Sequence, residues 1–214
     1  MIKANADRPL LVIGAGGHAR VVIDVARAAG FTPIAALDSR ATGSLCNGVP
    51  VVGGDDQAAE YRRQGLTECV IAIGDNRVRM KLAEQMQRAG MTFPAVVHPS
   101  TILSPSALIG AGTVIMPLAV VNAAASIGEM VVINSLALVE HDCVIGVGVH
   151  IAPGCRLGGT VSVGEGTLIG IGTIIRPGAS VGAFAVVGAG STVIGNLASN
   201  TVSTGCPARP RDAW

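Results

Sequence analysis

Aromatic and charged side chains are both scarce in this sequence. Aromatic residues make up 2% of the 214 residues, so an apolar core has to be built from aliphatic side chains. Charged residues make up 14%, and the formal net charge is +1. A charge balance this close to neutral gives no electrostatic reason to expect nucleic acid or an anionic membrane surface as a partner.

Long apolar runs and paired cysteines are also missing. The apolar run at residues 10–13 is too short for a signal peptide, and no stretch has the length of a membrane span. We therefore expect no membrane insertion. No CxxC pair occurs, and an odd number of scattered cysteines favours a reducing, cytoplasmic location. The cysteines are Cys46, Cys69, Cys143, Cys155 and Cys206.

The second half of the chain contains a six-residue repeat. Every sixth residue from Val97 to Val193 is Val, Ile or Leu, and a small or aliphatic residue follows four positions later. This period fits neither a helix nor an alternating strand. It predicts a parallel β-helix in which each hexad forms one short strand and one corner, with both repeated positions pointing inward and glycine at the corners. The unbroken register predicts no extruded loop.

The first part of the chain alternates strand and helix patterns, which indicates a small, mainly parallel sheet. The sequence thus predicts an α/β domain over residues 1–96 and a β-helix domain over residues 97–214. The predicted strands are 9–13, 33–38 and 69–73, the predicted helices are 20–29 and 78–89, and the linker is 93–99.

A glycine-rich turn joins the first predicted strand to the first helix. Backbone amides at such a turn suit a phosphate or diphosphate, and Asp38 ends the second strand, where a ribose or base is met in such folds. Half a Rossmann-like unit favours one nucleoside diphosphate. The alternative is a tight turn without a ligand. The predicted nucleotide-sugar site comprises Gly14, Gly16, Gly17, His18, Asp38, Arg40, Gly74 and Asn76.

His141 lies two residues after the inward Val139, so its side chain is expected to point outward from a corner. Eighteen residues make one turn of three hexads, which puts Gly159 over His141 at the strand spacing. A base beside a backbone amide suits acyl transfer, and Asp142 can orient the imidazole. The alternative is a surface histidine or a structural hydrogen bond.

Two other chemistries are less compatible with the repeat. Cys143 occupies the inward position four after Val139, so we expect a core residue and no acyl-cysteine intermediate. A zinc site needs converging ligands, whereas His141 and His150 occupy different hexad positions. We expect no metal ion, and zinc stays possible only across a subunit interface.

Four segments carry a resemblance to a known family. These are LVIGAGGHARVVIDVARAAGF, AIGDN, INSLALVEHDCVIGVGVHIAPGCRLGG and GCPARP. Together they resemble the nucleotide-sugar N-acetyltransferases of the hexapeptide-repeat, left-handed β-helix family, over essentially the whole chain. The resemblance implies acetyl-CoA as co-substrate, a nucleotide-linked dideoxy amino sugar as acceptor, and a homotrimer with active sites between neighbouring subunits.

The resemblance also implies roles for individual residues. His141 corresponds to the general base, Asp142 to the residue that orients it, and Gly159 to the oxyanion donor. Bacillosamine enzymes carry Glu where this chain has Asp142, which favours the perosamine group, a GDP-linked sugar and O-antigen synthesis. Acceptor and coenzyme contacts are implied for Asn134, His150, Gly170, Gly188, Ala189, Pro207 and Arg209.

Several alternatives stay open at this stage. Asp38 can accept hydrogen bonds from guanine or from uracil, so the residues alone do not choose between GDP- and UDP-linked sugars. The rival enzyme activities are O-acetylation of a sugar such as sialic acid and N-acetylation of a UDP-linked bacillosamine-type sugar. The rival outside catalysis is a nucleotide-binding trimeric scaffold.

Overall fold

The computed structural model describes residues 8–211, which divide into two compact units between Pro99 and Ser100. The first unit alternates strands and helices as its sequence predicts. Its elements are β1 (Pro9–Ile13), α1 (Gly17–Ala28), β2 (Thr32–Leu37), β3 (Leu45–Cys46), β4 (Val49–Gly53), a 3₁₀ turn (Asp55–Gln57), α2 (Ala58–Arg63), β5 (Cys69–Ile71), α3 (Asn76–Arg88) and β6 (Val96–Val97).

The sheet of the first unit has the strand order β3-β4-β2-β1-β5. The central strand β1 pairs in parallel with β2 on one side and β5 on the other. Residues Leu10 to Ile13 are fully buried, as expected for a central parallel strand covered on both faces. The longest helix, α3, has 13 residues, and no helix within residues 8–211 is long and apolar enough to cross a membrane.

The hairpin β3–β4 and the short helix α2 were not predicted from the sequence. The hairpin is antiparallel, and its two-residue turn is Asn47-Gly48, with φ angles of 48° and 77°. An Asn-Gly pair with both φ angles positive is the usual turn between two antiparallel strands. This dipeptide was the available signal, but β3 has only two residues and β4 contains Pro50, which weakens a strand prediction.

The second unit is a left-handed parallel β-helix, as predicted. Two-residue strands β7 to β22 begin at every sixth residue from Ile102 to Thr192, so the register has no break. Each strand pairs in parallel with the strand eighteen residues away. The first face holds β7 (Ile102–Leu103), β10 (Val120–Val121), β13 (Leu138–Val139), β16 (Arg156–Leu157), β19 (Ile174–Ile175) and β22 (Thr192–Val193).

Two further sheets complete the triangular section. The second face holds β8 (Leu108–Ile109), β11 (Ser126–Ile127), β14 (Val144–Ile145), β17 (Ser162–Val163) and β20 (Ser180–Val181). The third face includes β9 (Val114–Ile115), β12 (Val132–Ile133), β15 (His150–Ile151), β18 (Leu168–Ile169), β21 (Val186–Val187), β23 (Val202–Thr204) and the antiparallel β24 (Arg209–Arg211).

The interior of the β-helix is built from the two repeated positions that the sequence predicts. From Ile115 to Val187, the aliphatic residue that ends each strand is buried, as at Ile133 and Val139, and so is the residue four later, as at Ala137 and Cys143. Leu103 lies before this range and has 37% of its surface exposed. It lies in β7, the last strand of its sheet, so no further strand of that sheet covers it.

Glycine serves two different purposes at the corners, where the sequence predicted one. From Ile109 to Val187, the third residue after each inward aliphatic has a positive φ, both where it is glycine, as at Gly112, and where it is not, as at Asp142. The first residue is often glycine for a steric reason. A Cβ on Gly110 would lie 2.4 Å from Gly128 C, and one on Gly146 would lie 2.6 Å from Glu165 N.

Candidate active site

His141 projects from the corner between the first and second faces, called here the His141 corner (residues 140–142, with 122–124 and 158–160 stacked on them). Strand β13 ends at Val139 and β14 begins at Val144, so the corner residues leave the sheet between them. The side chain of His141 is 58% exposed. The outward orientation predicted from the hexad register is therefore confirmed.

The neighbouring Asp142 holds the imidazole ring. His141 Nδ1 lies 2.7 Å from Asp142 Oδ2, in a bond that Nδ1–H donates to the carboxylate. Asp142 has a φ of 59°, a left-handed conformation that aspartate tolerates better than most residues. This hydrogen bond is the main cause that raises the pKa of His141, and the charges of Asp142 and Glu140 raise it further. With Nδ1 engaged, Nε2 is the atom left to accept a proton.

Gly159 lies against the ring of His141, as the eighteen-residue stacking predicts. A Cβ at position 159 would be 2.5 Å from His141 Nε2, so any other residue would collide with the ring. The two stacked corner segments are linked by the Thr160 N–H, which donates to His141 O at 2.9 Å. Within residues 8–211, no acceptor receives the Gly159 N–H. A proton acceptor and an amide donor thus lie side by side, which is the arrangement acyl transfer needs.

Glu140 is a corner residue whose contribution the sequence analysis missed. Its Oε2 accepts hydrogen bonds from Asn122 Nδ2 at 2.9 Å and from the backbone N–H of His141 at 3.2 Å. Asn122 lies eighteen residues earlier, in the stacked position of the preceding coil. The eighteen-residue spacing between Asn122 and Glu140 is the sequence pattern that could have indicated a carboxylate supporting the backbone of His141.

Asn134 and His150 form a separate polar pair. Asn134 Nδ2 lies 3.1 Å from His150 Nε2, and Asn134 Oδ1 accepts the Ser135 N–H at 2.8 Å. His150 projects from the third face, whereas the His141 corner joins the other two faces. Within one chain the structure therefore does not bring this pair together with His141, and its predicted contacts to acceptor and coenzyme stay predictions.

Cys143 points into the β-helix, as the repeat predicts. It is fully buried, and its Sγ–H donates to Gly158 O at 3.2 Å. Burial is the main cause that raises the pKa of its thiol, which disfavours the thiolate a nucleophile would need. Across residues 8–211, no group of three or more His, Cys, Asp and Glu side chains is arranged to hold a metal ion.

The remaining predicted coenzyme residues lie on other corners or near the end of the described chain. Gly170 and Gly188 have structural reasons to be glycine, since a Cβ would lie 2.6 Å from Val187 O and 2.7 Å from Thr204 Cγ2, respectively. Ala189 follows Gly188, and Pro207 follows a cis peptide bond. Arg209 is exposed on β24, and its Nη1 donates to Ala208 O at 3.2 Å. Coenzyme binding by these residues stays a prediction.

A cleft of about 260 Å³ lies in the first unit, at the carboxyl ends of β1, β2 and β5. The connection from β1 through α1 leads to β2 on one side of β1, whereas the connection from β4 through α2 crosses to β5 on the other side, and such a switch point is the usual ligand site in parallel α/β sheets. The cleft is lined by Ile13, Gly14, Leu37, Asp38, Ser39, Arg40, Asp55, Ile73, Val78 and Leu82.

The glycines of the turn after β1 do not all have the same structural reason to be glycine. Gly14 has a φ of 105°, and a Cβ there would lie 2.6 Å from Ile73 Cδ1, so the turn itself needs glycine. Gly16 is the N-cap of α1 and Gly17 its first residue, and a Cβ on either would meet nothing within 4 Å. A tight turn without a ligand therefore explains Gly14 but not the other two. The hypothesis that a phosphate approaches the helix start closely accounts for Gly16 and Gly17.

Asp38 connects the glycine-rich turn to Arg40. Its carboxylate accepts the Ala15 N–H at 3.2 Å and the Arg40 backbone N–H at 3.1 Å. The guanidinium of Arg40 donates to the same carboxylate, which is the main cause that lowers the pKa of Asp38. The side chain of Arg40 is 83% exposed, so the charged pair lies at the mouth of the cleft.

A buried arginine organises the loop after β5. Arg79 is 1% exposed and donates hydrogen bonds to Ile73 O, Gly74 O and Asn76 Oδ1, at 3.0, 3.1 and 2.8 Å. Asn76 is itself buried, which gives it a role in holding the loop, and its contact to a nucleotide stays a prediction. Burial and the charge of Arg79 lower the pKa of His18 to about 4, so His18 is neutral at physiological pH.

Comparisons with known proteins identify a family for the first unit and a curated relative of the chain. Residues 9–86 match the family described as the PglD N-terminal domain. UDP-N-acetylbacillosamine N-acetyltransferase of Bacillus subtilis (strain 168) is 38% identical over 103 residues, which span about half of each protein, 47% of this chain and 48% of the relative.

Solved structures match over nearly the whole chain. A histidine-to-alanine variant of the GDP-perosamine N-acetyl transferase from Caulobacter crescentus, in complex with CoA and GDP-perosamine, is 39% identical, with a TM-score of 0.94, covering 97% of this chain and 99% of that one. The acetyltransferase domain of PglB from Neisseria gonorrhoeae, in complex with acetyl coenzyme A, is 37% identical, with a TM-score of 0.91, covering 96% and 100%. The chain therefore belongs to the family of nucleotide-sugar N-acetyltransferases that includes the GDP-perosamine enzyme.

Proposed function

We propose that this protein transfers the acetyl group of acetyl-CoA to the amino group of a nucleotide-linked dideoxy amino sugar, with GDP-perosamine as the first candidate. The observation that carries the proposal is the imidazole of His141, held by Asp142 and lying against Gly159. Similarity over nearly the full length to an enzyme crystallised with CoA and GDP-perosamine supports the choice of both substrates.

The chemistry follows from the positions of these atoms. The amine nitrogen attacks the thioester carbonyl, and Nε2 of His141 takes the proton that the nitrogen loses. The N–H of Gly159 donates to the oxyanion of the tetrahedral intermediate. The intermediate then expels the CoA sulfur, which leaves as the thiol after receiving the proton from the imidazolium. Asp142 keeps the ring in the correct tautomer and stabilises its positive charge.

The first unit supplies the nucleotide site in this proposal. The start of α1, at Gly16 and Gly17, binds the diphosphate through backbone amides. Asp38 and Arg40, at the mouth of the cleft, meet the ribose or base. The GDP-linked sugar is preferred on the full-length similarity to the perosamine enzyme, and the partial match to a UDP-sugar enzyme makes UDP the second candidate.

We also propose that the active form is a homotrimer. Asn134 and His150 lie away from the His141 corner, so a site that uses both sets takes them from two copies. The first face presents an apolar ladder for such packing at three successive outward positions, Ile102, Val120 and Leu138, and Ile102 is 66% exposed. The thiols of all the described cysteines are free, which fits action in the reducing cytoplasm where acetyl-CoA is used. A place in O-antigen synthesis stays a prediction from the resemblance.

The test is CoA thiol release from acetyl-CoA with a panel of acceptors, followed by mass spectrometry of the product. We expect release with GDP-perosamine, less with a UDP-linked 4-amino sugar, and none with sugars that offer only hydroxyl groups. A preference for the UDP-sugar would reassign the nucleotide and keep the reaction. Release with sialic acid in place of the amino sugars would indicate O-acetylation. No release with any acceptor, despite binding of the nucleotide-sugar in a thermal-shift assay, would favour the scaffold.

A further inference from the structure

One peptide unit links the oxyanion donor to the buried Cys143. The unit between Gly158 and Gly159 contains the carbonyl of Gly158 and the N–H of Gly159. The carbonyl accepts the Sγ–H of Cys143 at 3.2 Å, while the N–H faces away from it because a trans peptide is planar with its C=O and N–H in opposite directions. Holding the oxygen therefore also sets the direction of the N–H.

The same hydrogen bond recurs at equivalent positions of the β-helix. Thr113 Oγ1 donates to Gly128 O at 2.8 Å and Thr167 Oγ1 donates to Gly182 O at 2.6 Å, in each case fifteen residues further on. Cys143 to Gly158 has the same spacing and the same inward position. The repeated bond is thus a tether from the interior to the corner of the following coil, and at Cys143 the tethered peptide lies beside His141.

We propose that Cys143 is a positioning residue for acetyl transfer, whose thiol holds the Gly158–Gly159 peptide so that the Gly159 N–H points at the oxyanion. The inference rests on the proposed function. Two consecutive glycines have unusual backbone freedom, so this peptide has more need of a tether than most. The hydrogen bond to its carbonyl also polarises the N–H on the other side and strengthens it as a donor. Because burial raises the pKa of the thiol, Cys143 keeps its proton at neutral pH.

The test uses a pair of side chains with the same shape. Cys143→Thr keeps a donor of the kind present at Thr113, and Cys143→Val removes it. Loss of a whole oxyanion donor lowers kcat by about 10² to 10³, so a misdirected donor in Cys143→Val should lower kcat by at least about tenfold. The KM values for both substrates should change by less than about threefold. Cys143→Thr should restore most of kcat.

Thr113→Val is the matched control, since it removes the same tether from a corner outside the proposed site. We expect it to lower the Tm about as much as Cys143→Val while kcat stays near that of the wild type. Wild-type kcat in Cys143→Val, equal impairment of the Thr and Val variants, or an equal loss of kcat in Thr113→Val would each overturn the proposal. If Cys143→Val does not fold, the pair Cys143→Ser and Cys143→Ala makes the same comparison. Inactivity of the wild type with every acceptor would instead count against the proposed function.

Discussion

At the scale of single residues, the proposed catalysis depends on how the corner geometry sets the protonation of His141. Asp142 and Glu140 both place negative charge near the ring, and both raise its pKa. A base has to be neutral to act, so the rate falls as the pH drops through the raised pKa. The acid limb of the wild-type profile should therefore lie above the ordinary histidine value of 6.5.

Asp142→Asn is expected to move that limb toward lower pH. The amide cannot stabilise the imidazolium as a carboxylate does, so the pKa of His141 drops toward its ordinary value, with Glu140 still in place. The maximal rate should also fall, by less than on loss of His141, because the ring is less well oriented. The measurement is kcat/KM against pH for both proteins, and an acid limb at the same pH in both would contradict the assignment of Asp142.

The residues of the corner differ in how far the sequence could predict them. The contact between His141 and Gly159 followed from stacking at eighteen residues, because the repeat converts sequence spacing directly into neighbours. The hydrogen bonds of Glu140 did not follow from the stacking alone, since they depend on a side-chain rotamer and on Asn122 in another coil. The left-handed conformation of Asp142 was also hidden, because both glycine and other residues occupy that corner position.

At the scale of elements, the start of α1 is the part of the first unit that the proposed function uses most directly. Gly17→Val should raise the KM for the nucleotide-sugar, since a side chain there blocks approach to the helix amides, and leave the KM for acetyl-CoA nearly unchanged. The structure has open space at this Cβ, so the variant should fold. Kinetic titration of each substrate provides the measurement, and equal effects on both KM values would argue against a nucleotide site in this unit.

His18 near the start of α1 makes the stability of the protein sensitive to acid. Its pKa is about 4 in the folded protein against 6.5 as the ordinary value, so between these limits the unfolded chain binds a proton that the folded chain does not. The contribution of His18 to the free energy of unfolding is therefore complete above pH 6.5. It decreases as the pH falls toward 4, and the total loss is on the order of 3 kcal/mol.

His18→Gln removes this titration, so the difference in Tm between neutral pH and about pH 4 should be larger for the wild type than for the variant. Thermal unfolding without ligand measures both proteins, and the carboxylates common to the two cancel in the comparison. The same pH dependence in both proteins would mean that His18 is not the group responsible.

The elements themselves were predictable where a long pattern supports them. β1, α1, β2, β5 and α3 were located to within a few residues, since each is long enough to display its buried face. The hairpin β3–β4 was missed because β3 has only two residues and the five-residue β4 contains Pro50, which weakens a strand prediction, although Asn47-Gly48 marked its turn. The same two-residue length did not hide the strands of the β-helix, because there the pattern repeats along the whole unit.

At the scale of the whole molecule, the proposed trimer makes activity depend on assembly. Ile102→Glu introduces a charge into the apolar ladder of the first face and should weaken association, with a loss of activity that parallels the loss of trimer. Ile34→Glu, on β2 of the first unit, is the control and should change neither. Light scattering combined with activity at several protein concentrations measures the effect. A wild-type monomer with full turnover would remove the claim.

The sequence of a single chain says little about how copies of the chain assemble. The repeat predicts three flat faces, but it does not say which face meets a second copy. The hexad positions of His141 and His150 already differ in the sequence, and the strand assignment places His150 on the third face, away from the His141 corner. This separation makes a two-chain site necessary if both residues contact the substrates.

The central claim is that His141 is the base for acetyl transfer, and His141→Asn tests it most directly. Asparagine keeps much of the shape of the side chain and cannot accept the proton. We predict that kcat/KM for acetylation of the nucleotide-sugar falls by about 10² to 10⁴, while the nucleotide-sugar still binds in a thermal-shift assay. Near wild-type kcat, or an unchanged acid limb in the pH profile, would contradict the account and make His150 the next candidate for the base.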